Sequence, residues 1–135
     1  MTLKVSNVGE LELLRNMLGG IPAQPLILRL YTNDYTPLGN ETTGDFAEQI
    51  GRGYTEVTMA PGDWTFARVG NVSEATHLPV TWTFTGGVQF NIYGYYIVGA
   101  VDGILRWAEK FAPAFSAEIA GDRLKITPKI TFNSY

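Results

Sequence analysis

His77 is the single histidine in a chain of 135 residues that contains no cysteine. Disulfides, thiolate zinc sites and cysteine nucleophiles are therefore excluded. Any Ser-His-Asp or imidazole-metal chemistry would have to use this one ring. Around it His77, Pro79, Thr81 and Thr83 alternate with Leu78, Val80, Trp82 and Phe84. That period of two sets His77 on the polar, solvent-facing side of a strand, with no nucleophile or orienting carboxylate spaced to serve it. A second candidate is the 33–45 stretch, which holds Asp34, Asn40, Glu41 and Asp45. A hard cation needs several oxygens converging from a short loop. The spacing is not that of an EF-hand and Pro37 interrupts it, so a solvated loop is expected. Paired carboxylates in a cleft could hydrolyse a glycosidic bond, but Asp and Glu fall mostly at turns in a chain small for such a cleft. No catalytic, cofactor or metal residue is assigned, and the expectation is a protein that is not an enzyme.

The 88–98 segment offers a different chemistry. Val88, Phe90, Ile92, Tyr96 and Val98 form the expected core face, with Gly94 in the row. Opposite them stand Gln89, Asn91, Tyr93, Tyr95 and Ile97. Two tyrosines beside two amides make an amphipathic patch of the kind that stacks on sugars or is buried at protein interfaces. The same face could instead be covered by the chain's own loops or its N-terminal segment. Gln89, Asn91, Tyr93 and Tyr95 are the candidate contact residues.

The positioning elements follow from periodicity. Asn7 and Glu10 have capping-box spacing, and Leu11, Leu14 and Leu18 share one stripe until Gly19-Gly20 and Pro22 end it. The spacing predicts one short amphipathic helix within residues 1–20, and its leucine stripe is a second candidate docking surface. Strands are expected at 25–32, 54–59 and 64–68, the last two as a hairpin across Pro61-Gly62-Asp63. The 70–74 stretch reads as a loop, and 46–50 is ambiguous between strand and helical turn. A second hairpin is expected between 75–84 and 88–98 across Thr85-Gly86-Gly87. Asp102-Gly103 signals a third, leading into 104–110. Gly121-Asp122 connects a short 115–119 segment to a last strand, in which Pro128 requires an edge or a bulge. Seven or eight short strands imply an all-β antiparallel β-sandwich, jelly-roll-like, with one N-terminal α-helix, as a single domain over 1–135.

Composition narrows the function classes. Hydrophobic residues make up 45% and charged residues 17%, the latter well under the usual value of about 25%. A charge-poor surface fits a protein that covers itself with partners, and equally an ordinary β-domain. Net charge is −3 with ten dispersed basic residues, which argues against nucleic acid as a partner. Arg123, Lys125 and Lys129 are simply the polar face of the last strand. No apolar run reaches membrane-span length, and residues 1–7 lack a signal-peptide pattern. The Asn40-Glu41-Thr42 and Asn71-Val72-Ser73 sequons accordingly read as chance matches.

Several short motifs resemble a group of small tailed-phage virion proteins. They are Val5-Ser6-Asn7-Val8-Gly9-Glu10, Leu13-Leu14-Arg15-Asn16-Met17-Leu18, Leu28-Arg29-Leu30-Tyr31-Thr32-Asn33 and Gly53-Tyr54. Further along come Tyr93-Gly94-Tyr95-Tyr96-Ile97-Val98, Leu105-Arg106-Trp107-Ala108-Glu109 and Ile126-Thr127-Pro128-Lys129-Ile130-Thr131. The likeness spans nearly the whole chain and none of its motifs is catalytic. It implies a non-enzymatic component of a virion, first of all a capsid decoration (cement) protein. Such a protein would bind the major capsid protein or other virion proteins, as a homo-oligomer such as a trimer at a symmetry axis. A tail or fibre component and a carbohydrate-binding β-sandwich module are the alternatives.

Overall fold

The computed structural model describes Leu18 and residues 25–133. The architecture is all-β. Nine strands are described: β1 (Leu26–Tyr31), β2 (Val57–Met59), β3 (Trp64–Val69), β4 (Val72–His77), β5 (Val80–Thr83), β6 (Ile92–Gly99), β7 (Leu105–Phe115), β8 (Arg123–Ile126) and β9 (Lys129–Asn133). They form three sheets with orders β2-β1-β6-β7, β3-β4-β9 and β5-β8. Of the expected N-terminal helix only Leu18 is described, as helical and buried; Leu11 and Leu14 lie outside the described residues. Among the described residues no helix is long and apolar enough to cross a membrane.

By internal contacts the described chain divides into two compact units, Met59–Pro79 with the segment from Thr127, and Leu26–Thr58 with Val80–Ile126. In the larger unit β1 carries Leu26, Leu28 and Leu30 inward, as their alternation predicts. It pairs antiparallel with β6, Leu26 opposite Gly99 and Tyr31 opposite Gly94. Tyr31, Phe46, Tyr96 and Val98 form a buried cluster, with Phe46 stacked on Tyr96 at 4.8 Å between ring centroids. The ambiguous 46–50 stretch is thus extended chain following a 3-10 turn at Thr43–Asp45, with one bridge from Tyr31 to Glu48. The β6–β7 hairpin forms where Asp102-Gly103 predicts it. Gly103 takes φ +68°, and Asp102 Oδ1 accepts a hydrogen bond from the Ile104 N–H at 2.9 Å.

In the smaller unit β3 and β4 form a hairpin in register from Trp64–His77 to Val69–Val72, and β9 pairs with β4. Here the expected 70–74 loop is a two-residue turn, with Gly70 at φ +61° and strand resuming at Val72.

Two expected hairpins do not form. β2 joins β1 while β3 pairs β4. The Pro61–Asp63 segment is a 3-10 turn, and its Asp63 carbonyl accepts the Leu78 N–H. It is not the primed turn that a two-residue hairpin needs. Likewise β5 pairs with β8, not with β6. The backbone of the Gly86-Gly87 connection is satisfied elsewhere, Thr85 N–H donating to Arg52 and Val88 N–H to Ala117.

Two segments read as continuous strands are each cut at a proline. Leu78-Pro79 separates β4 from β5, and Thr127-Pro128 separates β8 from β9. Proline removes a ladder donor and holds the preceding residue extended. Pro128 accordingly sits between strands that belong to different sheets, and its carbonyl accepts the His77 N–H at 2.9 Å.

Candidate interaction site

The cut at Pro79 relocates His77. In β4 the odd positions Ser73, Ala75 and His77 are buried; in β5 the even positions Val80 and Trp82 are. The expected solvent-facing His77 is instead 5% exposed, because Leu78 and Pro79 both face water and the alternation restarts after them. Its Nδ1 lies 2.7 Å from the Leu78 carbonyl and so carries the proton it donates. Its Nε2 is 3.9 Å from Asp63 Oδ2, too far for a hydrogen bond. The ring meets Trp64 edge-on at 5.1 Å. This is an imidazole held in a core position.

The polar loop turns its oxygens onto its own backbone. Asn33 donates to the Asp45 carbonyl and accepts from Ala47 N–H, both at 2.8 Å, which pins the loop's two ends together. Asp45 accepts from Thr42 N–H and Glu41 from Leu38 and Gly39 N–H. Desolvation pushes the Glu41 carboxyl up, but those N–H donors outweigh it and hold the group below its ordinary value. Asp34 pairs with Lys110. Among the described residues no group of three or more His, Asp or Glu side chains is placed to hold a metal.

The tyrosine face of β6 is not an open patch. As the strand between β1 and β7, β6 is buried on both faces: Ile92, Tyr96 and Val98 on one, Tyr95 and Ile97 on the other. Tyr95 is 6% exposed; its hydroxyl donates to Glu109 Oε2 at 2.6 Å and its ring packs on Phe111. Burial first, and then that hydrogen bond to a carboxylate, pushes the phenol above its ordinary range. Tyr93 is half-buried with Lys110 Nζ over its ring at 5.9 Å. The β6 ladder begins only at Ile92, so Gln89, Phe90 and Asn91 precede the strand and are all exposed. Phe90, expected in the core, is 58% exposed. Leu18, expected on a docking stripe, is 1% exposed.

What does stand free is a depression of about 260 Å³ lined by Thr32, 47–50 and Gln89-Phe90. Ile50, 87% exposed, and Phe90 rim it, with the buried Gln49 between Glu48 and Ile50 in sequence. Gln49 is fixed there: its N–H donates to the Leu30 carbonyl and its side-chain amide to the Ile50 carbonyl. Only Gln89 of the sequence-derived candidates lines this site. Ile50 and Phe90 carry no period that marks them as exposed, since each reads as the apolar partner of a strand that stops short of it.

A shallower groove of about 570 Å³ runs between β7 residues 109–115 and β8 residues Leu124 to Ile126. No protein-family model, curated protein or solved structure matches the chain.

Proposed function

We propose that the protein is a non-enzymatic structural component of a tailed-phage virion, a capsid decoration protein that binds the major capsid protein or its neighbours. The observation that supports a binding role is the pairing of Ile50 and Phe90, two large apolar side chains left in water on the rim of one depression. A soluble monomer gains nothing from that placement, whereas a partner surface would bury both. Fully burying a side chain of this size contributes about 1.5–3 kcal/mol. Each copy would thus add a modest term at a capsomer seam, repeated over many copies of a shell. The low charge fraction of 17% fits the same reading. We assign the β-strands to a sandwich of jelly-roll type and the segment before Gly19 to a short amphipathic helix.

Immunogold electron microscopy of purified particles, with an antibody to this chain, is the direct test. Label over heads is expected; label on tails would move the protein to a tail or fibre role, and unlabelled particles would reject the virion reading. A double variant, Ile50→Asp with Phe90→Asp, should keep the wild-type circular dichroism spectrum and lose particle incorporation. Both sites are exposed, so retained incorporation would remove the depression from the interface.

A further inference from the structure

The groove between β7 and β8 has the geometry of a vacant strand position. A groove lying over the face of a sheet is lined by alternate residues of a strand, because successive side chains point to opposite faces. Here the lining runs through seven consecutive residues of β7, 109–115, and three of β8, 124–126. Both parities are present, through the irregularity of β7 on one side and the three consecutive residues of β8 on the other. Among the described residues each edge is open: β7 ends the order β2-β1-β6-β7, and β8 has β5 as its one neighbour. Among the described residues, no backbone group of 109–115 or 124–126 is hydrogen-bonded outside those two pairings.

β7 is also irregular where it lines the groove. Gly94 pairs with Lys110 and Ile92 with Phe115, so four residues of β7 stand against one of β6. A bulge of this kind frees backbone groups from the ladder and re-aims side chains. Within it lie Phe111 and Pro113, opposite Leu124 and Ile126 on β8, giving apolar walls on both sides. One residue of strand occupies about 160 Å³, taking a rise of 3.3 Å, a strand spacing of 4.8 Å and a sheet thickness of 10 Å. The groove therefore takes three or four residues of extended chain, the length of β8 that borders it.

The charges select the occupant. Glu109 and Lys110 are engaged with Tyr95 and Asp34. Lys125 and Arg123 alternate on one exposed face of β8, and neither has an ion-pair partner among the described residues. We propose that this groove receives an extended segment of a partner protein by β-strand addition. Backbone hydrogen bonds to the free edges hold it, and an acidic side chain sits against Lys125, with Arg123 on the same face just beyond the groove. The inference does not depend on the partner being a capsid subunit.

The test is an amide-resolved NMR titration of the full chain with three seven-residue peptides. One alternates valine and aspartate, one alternates valine and lysine, and one repeats the first with alternate backbone nitrogens methylated. The aspartate peptide should shift the amides of 109–112, 114–115 and 124–126, Pro113 having none, and slow their hydrogen exchange. Methylation should weaken binding at least tenfold, because it removes the donors on one edge. Lys125 is exposed, and Lys125→Glu should invert the preference between the aspartate and lysine peptides. The proposal is overturned if those amides stay unmoved at millimolar peptide, or if the methylated peptide binds equally well. It is also overturned if the same amides shift with protein concentration alone, which would make the groove a contact between two copies.

Discussion

β6 and β7 are adjacent strands of one hairpin, and their burial could hardly differ more. Ile92, Tyr95, Tyr96, Ile97 and Val98 of β6 are all under 7% exposed, whereas no residue of β7 is fully buried. Composition does not explain it, since β7 contains Leu105, Trp107, Phe111 and Phe115. Position in the sheet does. β6 has a strand on each side and packing on each face; β7 has a strand on one side and a bulge that interrupts even that pairing. A central strand is fixed by its surroundings, and an edge strand keeps hydrogen-bonding capacity and apolar surface for use outside the chain. Gly94 shows how tight the central strand is. A Cβ there would collide with the Glu109 carbonyl of β7 and with the Tyr31 ring and hydroxyl.

The comparison is broken most severely at that point. Gly94→Ala should cost about 3 kcal/mol or more, because a backbone carbonyl cannot move aside as a side chain can; urea unfolding reads it directly. Next, Ile97→Ala should cost about 2–4 kcal/mol in the same measurement. Trp107→Ala, at the position paired with it on β7, should cost less than the value usual for a buried tryptophan. A full loss of about 3–5 kcal/mol at Trp107 would erase the distinction between centre and edge.

A smaller effect separates the buried phenols. Burial, with nearby carboxylates, raises Tyr31 to about 12, and it raises Tyr95 above its ordinary range as well. In the unfolded chain both ionise near pH 10. Above that pH the unfolded state binds fewer protons, so stability is complete below about pH 10 and falls as pH rises towards 12. Tyrosinate absorbance at alkaline pH should accordingly appear in two stages, the second coincident with unfolding. The smallest effect belongs to the edge: Lys110→Ala removes a surface pair with Asp34 and should cost under about 1 kcal/mol, less in high salt.

Local signals were legible where the chain decides locally. The Asp102-Gly103 hairpin followed from turn chemistry, and the inward leucines of β1 from a period of two. Pro128 was read as an edge or bulge within one last strand, whereas it lies between β8 and β9, which belong to different sheets. What failed was everything that depended on which strand finds which partner. The β5 segment has a short glycine connection to β6, yet pairs with β8 some forty residues on. Tyr95 was readable as an amphipathic residue, but its burial required Glu109 and Phe111 from the next strand. His77 was misplaced because alternation was carried through Leu78-Pro79, where the strand ends and the sheet changes.

The sequence by itself therefore determined the β class, the Asp102-Gly103 turn and the absence of thiol chemistry, because these depend on backbone preference and residue type. Only the tertiary structure decided the strand partners, the exposure of Ile50 and Phe90, and the edges of β7 and β8 left open among the described residues. Those are set by pairing between distant segments, and a period of two records that a strand has two faces without recording what lies against either.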